Sequence, residues 1–294
     1  MNDWFEIYRG GVMPWDCDTT EHLTMASYYE RSGDAYLAFL DSIDMGEGYR
    51  REHRCGMAAV EDQARFTQEL RSGDVMHIVG GILGVDDKVV HFGQQVINSA
   101  TGEVTAAFQQ RTVHFDLDRR KAVSIPAAQK EALLAQRVEW DGPPRTVRFM
   151  PDGLAGFVAT ARDTVKPWEI DVIGHLSAHF YVVRFSMASM QALASIGFTS
   201  DYARNHKRGA STFEMDLRFY RELNVGDAVS VHSAITDIGD TSFRLVHKLV
   251  NERSGEIAAS MSQYGVHLDM QTRRPTPFPD DIKAKAADML IVDQ

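Results

Sequence analysis

From residue 176 onward apolar residues return every three or four positions: Leu176, Phe180, Val183, Met187, Met190 and Leu193. The other faces of that stretch carry Ala178, Val182, Phe185 and Ala188. A helix that is apolar nearly all round is a buried helix. Short segments at 10–18 and 163–171 precede the two helical stretches and read as strands. Polar stretches Tyr49–Arg54 and Tyr202–Arg208 read as loops after them. In the first half, strand-like runs follow at roughly 57–70, 74–86, 88–98 and 103–116. Gly73-Asp74, Asp86-Asp87 and Thr101-Gly102 punctuate them, as Gly226-Asp227, Gly239-Asp240 and Ser254-Gly255 do in the second half. The order predicts an α+β unit: one strand, one long helix, then four antiparallel strands. A curved antiparallel sheet is the partner available to cover such a helix.

The pattern is written twice. Residues 12–24 and 165–177 share V-x-P-W-acid-x-D-x-x-x-H-L-(Ser/Thr) at an offset of 153. The same offset aligns Glu61, Arg65, Phe66, Gly73 and Asp74 with Glu214, Arg218, Phe219, Gly226 and Asp227. It also aligns Val113, His114 and Asp116 with Val266, His267 and Asp269. About 35 of roughly 115 positions agree without a gap, the mark of an internal repeat. The tails at 127–138 and 280–291 read as short amphipathic helices. Residues 139–153, with Gly and Pro and no period, read as a linker. The expected domains are therefore 1–138 and 154–294. Two copies suit a fused homodimer, a covalent pseudo-dimer.

Composition narrows the class. The 294 residues are 44% hydrophobic and 24% charged, enough for two cores of ordinary size. A net charge of −10 argues against nucleic acid or an anionic membrane as partner. Two cysteines make no disulfide scaffold. No signal peptide and no membrane-length apolar run are visible, so a cytoplasmic protein is expected. A Gly-x-Ser-x-Gly elbow and a phosphate-binding glycine loop are both absent, which disfavours a serine esterase and a nucleotide enzyme. Asp-x-x-x-His supplies too few ligands for a metal, and none is expected.

The order of elements, with the D-x-x-x-H phrase between first strand and helix, resembles the hotdog-fold acyl-CoA thioesterases. WDCDTTEHL at 15–23 is similar to the D-C-D phrase of 4-hydroxybenzoyl-CoA thioesterases. DVIGHL at 171–176 and TFE at 212–214 are closer to the branch that includes betainyl-CoA thioesterases. The resemblance implies two tandem hotdog domains, an acyl-CoA substrate, no cofactor, and hydrolysis to free acid and CoA. It places the catalytic role on Asp171 and, in the first copy, Asp18. That branch has Asn where this chain has Ile173 and Thr20. The first copy departs further, with Glu21 for Gly174 and Ala59 for Thr212, so the second is the better candidate.

Thioester hydrolysis needs an attacking base or nucleophile, oxyanion donors, and a grip on CoA. A helix-mouth Asp beside free helix N-terminal amides supplies the first two, and Gly174 lets the carbonyl approach the backbone. The competing role for each Asp is a helix N-cap. His22 and His175, read as one helical turn further on, either orient the carboxylate or are buried and satisfied. Glu61 and Glu214 are either activated by burial or paired, the other copy's Asp or His being the expected partner. Thr212 is placed on the strand face of Glu214, to hold water or the carbonyl. Trp15, Trp168, Tyr28 and Tyr181 are packing residues or an aromatic wall for the acyl group. Arg50, Arg51, Arg54, Arg204, Lys207 and Arg208 are solvated or bind CoA phosphates. His114 and His267 read as structural, paired to Asp116 and Asp269. Two further readings stay open, an enoyl-CoA hydratase or dehydratase and a non-catalytic acyl-CoA-binding protein, as does a homodimer of such chains.

Overall fold

A computed structural model describes residues 4–292. The chain divides into two compact units at Arg145/Thr146. The first contains β1 (Phe5–Gly11), α1 (Met25–Ser42), α2 (Glu47–His53), β2 (Cys55–Phe66), β3 (Val75–Val85), β4 (Val89–Asn98), β5 (Val104–Asp116), β6 (Lys121–Ala122) and α3 (Ala127–Ala135). The second contains β7 (Val158–Thr164), α4 (Ala178–Ser195), α5 (Ser200–His206), β8 (Arg208–Phe219), β9 (Ala228–Ile238), β10 (Ser242–Asn251), β11 (Ile257–Asp269), β12 (Arg274–Pro275) and α6 (Asp280–Ala286). Sheet order is β1-β3-β4-β5-β2 in the first unit and β7-β9-β10-β11-β8 in the second, with neighbours antiparallel. Each long helix packs on one face of its sheet: Phe39 meets Phe92, and Ser189 meets His247 and Gln263. This is the hotdog arrangement, present twice. Among the described residues no helix is long and apolar enough to cross a membrane.

The helix is not buried nearly all round as its composition predicted. In α4 the buried positions are Tyr181, Val182, Arg184, Phe185, Ala188, Ser189, Ala192 and Leu193, whereas Met187 and Met190 are exposed. The face that carries Phe185, Ala188, Ala192 and Leu193 packs inward, and the face with Met187 and Met190 does not. The predicted loops at 49–54 and 202–208 are mostly short helices, α2 and α5. They end on Arg54 and Lys207 in the left-handed conformation, φ 51° and 53°. The left-handed residue stops each helix and starts the next strand.

Residues 139–153 carry no helix or strand but run in contact with the sheets. In the first unit Trp140 lies over Gly93, where a Cβ would come within 3.1 Å of the indole. Gln95 donates to Asp141, and Arg145 pairs with Glu61. In the second unit Arg148 pairs with Glu214, and Lys248 donates to the carbonyls of Pro151 and Gly153.

One irregularity is duplicated. The β2–β5 register slips between Ala59 and Glu61, and the β8–β11 register slips at the matching place, Thr212 to Glu214. The extra residues, Val60 and Phe213, form β-bulges. A bulge inverts the inward–outward alternation beyond it.

Candidate active site

The repeated phrase is a pinned turn that leads into the helix rather than the helix itself. Pro167–Glu169 forms one 3-10 turn, as does Pro14–Asp16. Ile170 then bridges Leu176, and Cys17 bridges Leu23. Between the bridged residues the Asp171 amide donates to the His175 carbonyl at 2.9 Å. The Gly174 amide donates to the Asp171 carbonyl at 3.1 Å. The four-residue step from Asp to His is thus a tight loop, not the helical turn expected from spacing. The helix begins at Ala178, so Asp171 is no N-cap; Ser177 and Thr24 take that place. Gly174 adopts φ +89°, in the left-handed region, and its amide is already engaged inside the turn. Oxyanion donors at the helix start therefore have to come from beyond Ser177.

The two turns differ in how they hold their carboxylates. Asp171 Oδ1 accepts the Ile173 amide at 2.9 Å, an Asx-turn bond. Its Oδ2 faces His175 Nδ1 at 3.4 Å, and Nδ1 also lies 3.3 Å from the Leu176 carbonyl. In the first unit Asp18 Oδ1 accepts both the amide and the hydroxyl of Thr20, at 2.7 and 2.5 Å. Thr20 Oγ1 also lies 2.8 Å from His22 Nε2, and His22 Nδ1 stays 3.9 Å from the carboxylate. Thr20 therefore stands between acid and imidazole, where the buried Ile173 has no hydroxyl to do so.

One further contrast favours the second unit as the open one. A Cβ built on Gly174 would meet nothing within 4 Å, whereas Glu21 holds the same left-handed position, φ +68°, with an exposed side chain. At the helix start Thr24 Oγ1 accepts the Ser27 amide at 3.1 Å, while Ser177 makes no such cap. The matching Phe180 amide donates instead to the Ser177 carbonyl at 3.0 Å, so that amide is engaged at both helix starts.

The glutamates lie elsewhere. Leu176 donates to the Leu223 carbonyl, which fastens the Asp171 turn to the β8–β9 connection. From Thr212 to the end of β8 runs about 23 Å of strand. Within the unit, then, Asp171 and His175 are together, and Thr212 and Glu214 are apart from them. The bulge at Phe213 also separates Thr212 from Glu214, correcting the expectation that they share a face. Thr212 pairs with Gly265 and accepts from Gln263, on the helix side. Glu214 pairs with Tyr264, on the outer side, where Arg148 grips it through two bonds of 2.6 Å and Arg244 through one of 3.1 Å. Arg145 and Arg111 hold Glu61 at 2.8 and 3.3 Å. Within each unit, arginines hold both glutamates.

The remaining candidates are placed as follows. Trp15 and Trp168 are exposed on the 3-10 turns. Tyr28 and Tyr181 are buried against Phe66 and Phe219. Burial first, then the Asp171 charge, pushes the Tyr181 hydroxyl pKa up. Arg50 and Arg51 pair with Glu47, Arg54 with Asp118, Arg204 with Asp201 and Arg208 with Asp269, while Lys207 is exposed. His114 and His267 bond Tyr49 and Tyr202, at 3.0 and 3.1 Å, instead of the expected aspartates. Asp116 and Asp269 cap their own turns. A cavity of about 570 Å³ near Trp140 and one of about 400 Å³ near Tyr202 and Phe278 include no residue of the repeated phrase.

Sequence reading missed Arg31 and Arg184. Arg184, 1% exposed, donates to Glu169 at 2.7 Å and meets Asp163 at 3.0 Å. Arg31 does the same to Asp16 at 2.5 Å. Their identity at the 153-residue offset was the available signal.

Comparison with known proteins follows the same division. The profile of the thioesterase-like superfamily matches residues 12–133 and again 165–286. A betainyl-CoA thioesterase of Pseudomonas aeruginosa is 27% identical over 128 residues, 44% of this chain and 80% of that protein. An L-carnitine dehydrogenase/betainyl-CoA thioesterase of Agrobacterium fabrum is 28% identical over 126 residues, 43% of this chain but only 26% of that protein. A putative oleoyl thioesterase of Lactobacillus plantarum superposes with a TM-score of 0.72 at 14% identity, covering 94% of this chain and 98% of that one. The 12:0-ACP thioesterase of Umbellularia californica gives 0.69 at 12% identity, covering 92% and 93%. At such identities the two structures establish the fold alone.

Proposed function

This chain belongs to the thioesterase-like superfamily, and from that premise we propose that it hydrolyses an acyl-CoA thioester to the free acid and CoA, with Asp171 as the working carboxylate. The observation that carries this reading is the Asp171 turn. One carboxylate oxygen is fixed by the Ile173 amide and the other is turned toward His175, beside the open space at Gly174.

In the proposed step Oδ2 takes a proton from a water molecule that attacks the thioester carbonyl. The developing oxyanion is held in this reading by amides at the start of α4. The tetrahedral intermediate collapses with loss of the CoA thiolate, which takes up a proton. His175 sits where it can orient the carboxylate. Direct attack by Oδ2 on the carbonyl, giving an anhydride that water then opens, is the competing route. Glu214 and Glu61 act in this reading as anchors for the segment between the sheets, because arginines already hold them. CoA as carrier is supported by the relatives named for betainyl-CoA. The acyl group is small or medium in this reading.

The test is thiol release from a panel of acyl-CoAs that includes betainyl-CoA. Asp171→Asn is expected to lower kcat at least 100-fold. Full activity in that variant would remove Asp171 from the chemistry. A single turnover in ¹⁸O-water tests for an anhydride opened at the Asp171 carbonyl, which would place the label in the enzyme and leave the first product acid unlabelled.

A further inference from the structure

The acid that precedes each candidate aspartate by two positions is buried, and the hydrolytic step above gives it nothing to do. Glu169 is 5% exposed and Arg184 1%. Glu169 Oε2 accepts the Lys166 amide at 2.9 Å and the Arg184 guanidinium at 2.7 Å. Its backbone carbonyl accepts the amide of Ser177, the helix N-cap, at 2.9 Å. Residues 169 and 177 are thus fastened together, and Asp171 to His175 project between them. Arg184 reaches back from the second turn of α4. It also donates to the carbonyls of Phe180 and Thr164, at 3.2 and 3.3 Å.

The first unit repeats the device with a shorter acid. Asp16 Oδ2 accepts the Met13 amide at 2.9 Å and the Arg31 guanidinium, and its carbonyl accepts the Thr24 amide at 2.9 Å. The second unit adds Asp163, 3.0 Å from Arg184, where the first has Gly10. Burial of a charged pair stabilises little by itself. What such a pair fixes is geometry, since guanidinium and carboxylate meet in few orientations.

We propose that Glu169 and Arg184 are positioning residues: their buried pair sets the Asp171 turn against the start of α4, and they act on the reaction only through Asp171. The proposal rests on the hydrolase reading for its kinetic half and on the clamp geometry for its structural half. Precise placement of a reacting group is worth one to two orders of magnitude in rate, so loss of the clamp lowers kcat about tenfold.

The test variant is Glu169→Gln, which keeps an oxygen for the Lys166 amide and leaves Arg184 with Asp163. Amide hydrogen exchange by mass spectrometry is expected to rise across residues 170–177 and to stay unchanged across 181–193. The kcat for thiol release is expected to fall about tenfold with KM within twofold. Glu169→Asp, the acid of the first unit, is expected to restore at least a third of the rate. The double variant Glu169→Gln/Asp171→Asn is expected to be no slower than Asp171→Asn alone. Unchanged exchange at 170–177, an unchanged kcat, or losses that multiply in the double variant would overturn the proposal. Raised exchange at 170–177 with no thiol release by the unmodified protein from any acyl-CoA would instead sink the hydrolase reading and leave the clamp standing.

Discussion

Gly174 and Glu21 occupy the same left-handed backbone position in two copies of one turn, at φ +89° and +68°. Only one of them leaves the space above it empty. A glutamate strained into that region, roughly 1 kcal/mol above glycine, holds the shape of the turn while covering it. Gly174→Glu is therefore expected to lower kcat/KM for thiol release at least tenfold while destabilising the fold by only about 1 kcal/mol. Steady-state kinetics and urea unfolding check the two halves.

Thr20 is the second difference between the turns. Its hydroxyl bridges Asp18 and His22, at 2.5 and 2.8 Å. Ile173→Thr is expected to import that bridge, occupy an Asp171 oxygen and lower kcat about threefold to tenfold. Asp18→Asn is expected to leave thiol release within twofold of the unmodified protein. Parallel assays of the two variants on one acyl-CoA are the measurement.

His247 sets an acid limit on stability. It is fully buried between Ser189 and Ser233, which lie 3.1 and 2.6 Å from its ring nitrogens, and burial pushes its pKa down to about 3. The unfolded chain protonates this histidine near pH 6.5, and the folded chain does not until about pH 3. Between those values the unfolded state binds the extra proton, so stability falls as pH falls, by up to about 1.4 kcal/mol per pH unit. Burial lowers His114 and His267 as well, with the same sign. His247→Gln, the residue found at the matching Gln94, is expected to flatten this dependence. Urea unfolding at pH 5 and pH 7 reads the change.

Arg148 is expected to matter for stability and not for turnover. Its removal leaves the buried Glu214 with Arg244 as a weaker partner. Arg148→Met is expected to cost about 2–3 kcal/mol, and Arg148→Met/Glu214→Gln to recover part of it. The kcat stays within twofold in both. Denaturation midpoints and thiol release together test the division of roles.

The sequence was most informative where a pattern repeats. The offset of 153 located both units, and strand punctuation located the sheet. The phrase at 165–177 pointed to the place where Asp171 and His175 come together. Other features turn on relationships that spacing does not carry. Asp to His at four residues fits a helical turn as well as the pinned loop found here. Thr212 and Glu214 share a face only if the strand is regular, and the extra residue at Phe213 is invisible as a letter. Glu214 stays open in the sequence between activation and pairing because Arg148, 66 positions away, cannot be placed beside it from spacing. The pairing of Arg184 with Glu169, fifteen positions apart, likewise leaves no mark in the spacing.

The matched bulges at Val60 and Phe213 also separate what the halves share from what they do not. An irregularity that falls at the same offset in both halves, with no gap on either side, belongs to the repeated unit itself. The differences at Thr20 and Glu21 are of another kind, because they divide the halves. The bulged strands are thus what the halves hold in common, and the contrast between an open and a covered turn is what divides them.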